Sequence, residues 1–170
     1  MVVKRKYGLH HRRIWICGGS AGGHLALWTL THLPSESVEG CISVSAIGDP
    51  SIDFVANPGR YDRLFAGTPD VAAMDPRPAI MSGLAPLLCT HADADRVVPI
   101  ASHRAFETAY RVAGNPCEFF EYRHDCEPNE GGHCIWRPGS DPHRLLDCVE
   151  CRIRGFVTSC RKGKEISSNK

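Results

Sequence analysis

The sequence predicts an α/β fold: an open, mostly parallel sheet of about four strands with helices on both faces. Short apolar runs rich in β-branched and aromatic residues recur along the chain, as is typical of strands buried on both faces. Segments with helical spacing of apolar residues separate these runs, and Gly or Pro ends several of them. Strands that alternate with helices favour parallel pairing through right-handed crossovers.

The predicted strands are 14–17, 40–47, 84–91 and 117–123. The predicted helices are 21–33, 100–113 and one with Asp141 as N-cap and Pro142 in its first turn. The apolar stripes that we expect these helices to bury are Ala21, Leu25 and Trp28, with Ala26, Leu30 and Leu33 beside them; Phe106, Ala109, Tyr110 and Ala113; and Leu145, Cys148, Val149 and Ile153.

The long connection at 51–84 has few apolar runs and is rich in Gly and Pro. We expect it to lie above the sheet, with short helices around 61–65 and 71–74. Excursions of this kind often shape a substrate pocket, although a plain surface loop is the alternative interpretation.

Composition narrows the function. The chain of 170 residues is long enough for one domain with a substantial core. Its 20 basic and 19 acidic residues give a net charge of +1, which argues against nucleic acid and anionic membranes as partners. No apolar run approaches the length of a membrane span, and residues 1–13 lack the apolar core of a signal peptide. We therefore expect a cytoplasmic protein.

The nine cysteines favour free thiols in a reducing compartment. Cys17, Cys41 and Cys89 fall in predicted buried strands, where a thiol behaves as a small apolar group. Cys126 and Cys134 flank one loop and would pair in an exported protein. Zinc would need two more ligands beside Cys148-x-x-Cys151, and none stands out, so neither a metal nor a cofactor is expected.

The motif Gly18-x-Ser20-x-Gly22 lies between the first strand and the first helix. A serine at the apex of so tight a turn adopts a strained backbone, and small neighbours let the strand approach the helix. The Ser20 hydroxyl then projects above the carboxyl end of the sheet, and the N–H of Ala21 can donate to an oxyanion. The alternative is a Gly-rich turn whose serine only caps the helix.

A nucleophilic serine needs a general base, and the base needs an orienting carboxylate. In a parallel sheet these groups collect at the carboxyl ends of the strands. Asp95 follows the third predicted strand, and His133 follows the fourth after two glycines that allow a close approach. The order Ser20, Asp95, His133 is the one expected for this architecture, so we predict them as nucleophile, carboxylate and base.

Other residues compete for two of these roles. Asp93 is the alternative to Asp95, since either could simply cap the loop. The alternatives to His133 are His124, His91 and His24, and the last of these is expected to pack or cap within its helix. His103 and His143 are expected at the surface.

Three segments carry a resemblance to a known family. Residues 18–26, Gly-Gly-Ser-Ala-Gly-Gly-His-Leu-Ala, resemble the nucleophile elbow of α/β-hydrolases, in particular the esterase/lipase branch (acetyl-esterase-like and feruloyl-esterase-like proteins) and its prolyl-oligopeptidase-like relatives. Residues 91–99 are similar to the acid segment His-Gly-x-x-Asp-x-x-Val-Pro, with Ala92 in place of Gly, and Asp95 matches the triad acid. Gly131-Gly132-His133 resembles the histidine segment. The resemblance spans about residues 6–157.

The resemblance implies a serine hydrolase that cleaves small-molecule carboxylic esters without a cofactor. One alternative is a serine peptidase of the prolyl-oligopeptidase type, and another is a catalytically inactive remnant that acts by association. It also implies a partial domain at 1–160, equivalent to the carboxyl-terminal half of the family fold and without its first strands and oxyanion loop, followed by a polar tail at 161–170. An open edge on the first strand would then favour self-association, and the lost oxyanion donors would lower activity.

Overall fold

A computed structural model of the chain describes residues 13–64, 70–123, 133 and 145–168. Its four strands form one sheet in the order β1-β2-β3-β4, and all three pairings are parallel. The strands are β1 Ile14–Gly19, β2 Val38–Val44, β3 Leu87–Ala92 and β4 Cys117–Tyr122. The predicted α/β class with a four-stranded parallel sheet is confirmed.

The helices pack on both faces of this sheet. They are α1 Ala21–His32, α2 Pro50–Ala56, α3 Pro58–Leu64, α4 Ile100–Val112 and α5 Asp147–Ser168, with 3₁₀ turns at Ser35–Ser37, Ala72–Met74 and Arg77–Ala79. Because the strand order steps in one direction, right-handed crossovers place α1 and α4 on the same face. Among the described residues, no helix is both long enough and apolar enough to cross a bilayer.

Each face has its own apolar cluster. On the first face, residues of α1 and α4 pack against alternate strand residues; the fully or nearly buried members include Leu27, Leu30, Phe106, Tyr110, Cys41 and Leu87. On the second face, Phe156 of α5 packs against Ile42 and Leu88 and contacts the ring of Trp15 edge to face, with centroids 6.0 Å apart. The sheet is therefore covered on both sides, as its continuous apolar strands require.

The strand sequences follow their positions in the sheet. All residues of β3, a central strand, are buried, whereas β4 at one edge carries Glu118 and the exposed Glu121. At the other edge lies β1, and the prediction that Cys17 is buried is wrong: its side chain is exposed because no described strand covers the outer edge of β1. Cys41 and Cys89 are fully buried, as expected.

The buried face of α1 differs from one of the two predicted stripes. Ala21 and Leu25 are exposed, Leu25 at 63%, whereas the buried residues are Gly23, Ala26, Leu27, Leu30 and Thr31. The reason is a close approach at Gly23, where an added Cβ would lie 2.7 Å from the Cβ of Ala46. This contact turns Gly23 toward the sheet and leaves Leu25 on the outer side.

The last helix also differs from its prediction. The predicted cap at Asp141 and Pro142 lies outside the described residues, α5 begins at Asp147, and Leu145 precedes it. Val149 and Ile153 pack on the sheet as expected, but Cys148 is exposed. The backbone of 161–168 continues α5 instead of forming a separate tail. Cys126 and Cys134 lie outside the described residues.

A buried ion pair organises the excursion above the sheet. Asp53 of α2 has a side-chain exposure of 0%, and its two carboxylate oxygens accept hydrogen bonds from Arg60 of α3 at 2.9 and 2.8 Å. The hydroxyl of Tyr61 donates to the same carboxylate at 3.0 Å. Arg60 and Asn57 also donate to the carbonyl oxygen of Val97, so the excursion is tied to the loop that follows β3.

We expect Arg60→Met to lower the free energy of unfolding by about 3 kcal/mol, because it leaves the buried Asp53 carboxylate without its cation. Urea denaturation of the chain measures this change. The control is Arg154→Met: Arg154 pairs with Glu150 at 77% side-chain exposure, so its loss should cost less than ~0.5 kcal/mol. Equal effects of the two variants would contradict a structural role for the buried pair.

Candidate active site

Ser20 occupies a sharp turn between β1 and α1. Its backbone has φ 55° and ψ −125°, and its N–H donates to the carbonyl oxygen of Val44 at 2.8 Å. Only one other described non-glycine residue, Ser45, has a positive φ. Such a conformation costs about 1–3 kcal/mol and persists where the surrounding structure enforces it. Here the ladder to β2 and the start of α1 together hold the serine at the apex.

The glycines around Ser20 have unequal roles. A Cβ on Gly18 would lie 2.1 Å from the carbonyl oxygen of Gly22, so the strand and the helix meet there backbone to backbone. A Cβ on Gly22 would meet nothing within 4 Å. The first glycine of the motif is therefore required by packing, whereas the space around the second would accommodate a methyl group.

The structure brings Ser20, Asp95 and His133 together. Nε2 of His133 lies 2.9 Å from Oγ of Ser20, and Nδ1 of His133 lies 3.0 Å from Oδ2 of Asp95. Because a carboxylate only accepts hydrogen bonds, Nδ1 carries the proton and Nε2 presents a lone pair to the serine hydroxyl. In this tautomer the imidazole can accept the hydroxyl proton.

Four nitrogen atoms surround the carboxylate of Asp95, and two of them belong to the loop after β3. Oδ1 accepts from the backbone N–H groups of Val97 and Val98 at 2.8 and 3.0 Å. Oδ2 accepts from Nδ1 of His133 at 3.0 Å and contacts Nε2 of His91 at 3.1 Å. Burial alone would raise the pKa of Asp95, but the hydrogen bonds from His133, His91 and the N–H of Val98 outweigh it, and the pKa is lowered. Asp95 is thus an anion at neutral pH.

The competing residues lie elsewhere. Asp93 is exposed, and its backbone N–H donates to the carbonyl oxygen of Tyr122. His24 packs within the fold as expected, with Nδ1 donating to the carbonyl oxygen of Ile47 at 2.8 Å. His124 and His143 lie outside the described residues.

Two histidines lie behind Asp95. His91, one of the alternatives to His133, contacts the Asp95 carboxylate, with its Nε2 3.1 Å from Oδ2. The prediction that His103 lies at the surface is wrong, since its exposure is 0%. The sequence carried a signal for this position: His103 precedes Phe106 by three residues and Tyr110 by seven, which places all three on one face of α4.

An apolar pocket of about 230 Å³ opens beside the turn. Ala21 and Leu25 of α1 form one wall, and the others come from the segment after β2 and from the excursion; its remaining lining residues are His24, Ile47, Pro50, Arg60, Tyr61 and Met74. The pocket was not predicted residue by residue, because Leu25 was expected to face the core. Within the described part of the chain, no group of three or more His, Cys, Asp or Glu residues could hold a metal ion.

Comparisons with known proteins give structural neighbours only: no protein-family model and no curated protein matches the chain. The butyrate-bound structure of the esterase Est2 from Thermogutta terrifontis aligns with a TM-score of 0.54 and 27% identity over 74% of this chain. The paraoxon-phosphorylated form of Thermogutta terrifontis esterase 2 aligns at 0.50 and 30% identity over 65% of this chain. An acylaminoacyl peptidase from Pyrococcus horikoshii aligns at 0.61 over 78% of this chain.

These neighbours are α/β-hydrolases. The chain shares the α/β-hydrolase fold. It spans 52% of the butyrate-bound esterase chain, 42% of the phosphorylated one and 23% of the peptidase. The peptidase is 18% identical to this chain, so its similarity is evidence for the fold alone. The esterase and the peptidase are both hydrolases. In this chain, Ser20 follows β1, Asp95 follows β3 and His133 follows β4, all toward the carboxyl ends of parallel strands.

The two glycines of the Ser20 turn give a matched pair of variants. We expect Gly18→Ala to lower the free energy of unfolding by about 3 kcal/mol, because its methyl group would overlap the Gly22 carbonyl. Gly22→Ala should leave stability unchanged or raise it by up to ~1 kcal/mol, since alanine favours the helix and meets no obstacle. Thermal denaturation followed by circular dichroism measures both; a Gly18→Ala protein as stable as the parent would refute the close contact.

Proposed function

We propose that the chain is a serine hydrolase that cleaves carboxylic esters of short-chain acids. Ser20 is the nucleophile, His133 the general base and acid, Asp95 the orienting carboxylate, and the N–H of Ala21 a donor to the oxyanion. The observation that carries the proposal is the continuous line of hydrogen bonds from Oγ of Ser20 through His133 to Asp95. Identity of about 30% to an esterase supports the choice of ester chemistry.

In the proposed reaction, Oγ of Ser20 attacks the ester carbonyl carbon while Nε2 of His133 takes the hydroxyl proton. The C–O bond to the alcohol then breaks, and the alcohol leaves with the proton from His133. A water molecule, deprotonated by His133, attacks the acyl-enzyme and releases the acid and Ser20. The reaction is a hydrolysis with no redox step, and these residues alone carry its proton transfers.

Electrostatics favour each role. Asp95 remains charged at neutral pH because its pKa is lowered, so it stabilises the His133 cation that forms during attack. As the first residue of α1, Ala21 has a backbone N–H with no acceptor within the helix, and the positive end of the helix dipole lies there too. Negative charge on the carbonyl oxygen would develop next to this donor.

The apolar pocket supports a short aliphatic acyl group. It shares Ala21 with the oxyanion site, so a group bound to Ser20 could enter it directly. Its volume, about 230 Å³, is smaller than that of sites for drug-sized ligands, which is roughly 300–1,000 Å³. The esterase neighbour has been captured with propionate and with butyrate, acids of the proposed length.

Two other interpretations make different predictions. A serine peptidase would use the same residues on an amide, but the similarity to the acylaminoacyl peptidase extends to the fold only. A catalytically inactive protein that acts by association would keep the fold and lack a reactive serine. The reactivity of Ser20 and the substrate preference separate these interpretations from an esterase.

We expect paraoxon to phosphorylate Ser20, because an activated serine attacks phosphorus as it attacks a carbonyl carbon. Intact-mass spectrometry should show one adduct, and peptide mapping should place it on Ser20. Ser20→Ala should remain unlabelled, and p-nitrophenyl acetate hydrolysis should fall to the buffer rate. Sizing chromatography beforehand restricts both assays to folded protein and gives its oligomeric state. A folded parent chain that neither reacts with paraoxon nor hydrolyses p-nitrophenyl acetate would support the interpretation as a catalytically inactive protein.

Acyl-chain preference tests the pocket. We expect kcat/KM for p-nitrophenyl esters to rise from acetate to butyrate and to fall for octanoate. Ile47→Ala should enlarge the pocket and move the optimum to a longer acyl chain. Each methylene that the enlarged pocket newly buries should raise kcat/KM about fourfold. Val112→Ala, on an exposed position of α4, is the control and should leave the preference unchanged. An unaltered optimum in Ile47→Ala would place the acyl group elsewhere.

A further inference from the structure

The hydrogen bonds of Asp95 extend into the core on the side away from His133. His91 lies near the end of β3 with an exposure of 0%, and its Nε2 is 3.1 Å from Oδ2 of Asp95 and 3.1 Å from the carbonyl oxygen of Val98. Both oxygens only accept hydrogen bonds, so Nε2 of His91 must carry a proton. This N–H hydrogen-bonds to the loop carbonyl, and Oδ2 of the carboxylate lies at the same distance from Nε2.

The other ring nitrogen of His91, Nδ1, is hydrogen-bonded to His103. Its Nδ1 lies 3.0 Å from Nδ1 of His91, and one of these two nitrogens must donate to the other. Burial, the adjacent His91 and the Arg104 guanidinium lower the pKa of His103, so its ring is neutral and carries a single proton. Nε2 of His103 is buried without a hydrogen-bond partner, so the proton is best placed on Nδ1, from which His103 donates to Nδ1 of His91.

We infer that His91 and His103 are positioning residues for the proposed triad. His91 holds Oδ2 of Asp95 in line with Nδ1 of His133, and His103, hydrogen-bonded to Nδ1 of His91, holds the His91 ring in the orientation that presents its Nε2–H to Asp95. The inference rests on the proposed function and assigns a role to two histidines that its mechanism does not use.

Oδ2 of Asp95 shows why this position matters. A carboxylate has about four lone-pair sites, and two backbone N–H groups already occupy Oδ1. Without His91, Oδ2 would keep His133 as its only described donor, and the plane of the carboxylate would be fixed from one side alone. The opposite tautomer of His91 would be worse, since a lone pair on Nε2 would face two oxygens.

The environment of the pair argues against simple core filling. Nε2 of His103 is buried with no hydrogen-bond partner, and its ring packs edge to face on Phe119 with centroids 5.3 Å apart. A buried nitrogen without a partner is costly, and an apolar side chain would avoid that cost. The charged groups that influence His103 are Arg104, on its own helix, and Asp95 across the loop. Outside the pair itself, the polar atoms that contact it are the Val98 carbonyl oxygen and the Asp95 carboxylate.

The arrangement positions the carboxylate and does not conduct protons. Oδ2 of Asp95 accepts from His133 on one side and from His91 on the other, so both protons already point at the same oxygen. A proton that left Ser20 would stop at His133, and no second base accepts it beyond Asp95. The expected effect is on the geometry and rate of the chemical step.

Paired substitutions at His91 test the role. We expect His91→Leu to lower kcat for p-nitrophenyl acetate about tenfold with KM unchanged, because the lost hydrogen bond orients the base and does not touch the substrate. His91→Gln keeps an N–H at the ε position and should recover kcat to within about threefold of the parent. Thr90→Val, a neighbouring buried change on β3, should leave kcat unaltered. A His91→Leu enzyme with parental kcat, or equal losses in the leucine and glutamine variants, would overturn the inference.

A second measurement does not depend on turnover. In ¹⁵N spectra of the histidine rings, the parent chain should show His91 protonated on Nε2 and His133 on Nδ1. His103→Leu should leave His91 protonated on Nε2, because the Val98 and Asp95 oxygens remain, but should shift the Nδ1 resonance of His91, which loses its hydrogen bond. His103→Asn, which keeps an N–H at the δ position, should preserve that resonance. Protonation of His91 on Nδ1 in the parent chain would refute the inference even if esterase activity is present. The expected tautomers in a chain that fails to react with paraoxon would uphold the arrangement while the proposed function fails.

Discussion

The backbones of Gly18 and Gly22 meet where β1 turns into α1, and no side chain fits between them. This contact sets the angle at which the helix leaves the strand, and it holds Ser20 at a positive φ. A second close approach, at Gly23, turns the small face of α1 toward the end of β2. Leu25 is therefore outside the core and free to line a pocket, so the same constraint shapes both the serine and its surroundings.

The peptide of Val97 connects two parts of the molecule that the chain order keeps apart. Its N–H donates to Asp95, and its carbonyl oxygen accepts from Arg60 and Asn57 of the excursion. The buried Asp53–Arg60 pair thus supports the loop that carries Asp95, and Arg60 also lines the apolar pocket. A displacement of the excursion would therefore be transmitted to Asp95 through the peptide group of Val97.

The sequence was sufficient for the strands, the main helices and the placement of Ser20, Asp95 and His133 at one sheet edge. Hydrophobic periodicity, turn glycines and the order of the elements along the chain are all properties of the sequence itself. It was insufficient where the exposure or direction of a side chain depends on a contact with another part of the fold. The exposure of Cys17 depends on β1 being an edge strand, and the outward direction of Leu25 depends on Gly23 touching Ala46. His103 was placed at the surface because a polar residue type was weighed above its position on the buried face of α4. Its contact with His91 is a tertiary property that no local pattern expresses.

The separation along the chain between the groups of the site bears on the order in which the molecule assembles. Neighbouring strands are consecutive in sequence, so the sheet can grow by adding one crossover at a time. Ser20 and His133, by contrast, are 113 residues apart and meet only across all four strands. Contacts of such long range form late in folding, after the loop entropy between them has been lost. The hydrogen bond between Ser20 and His133 therefore forms only when the whole sheet is complete. Helix content, by contrast, already rises when single elements form.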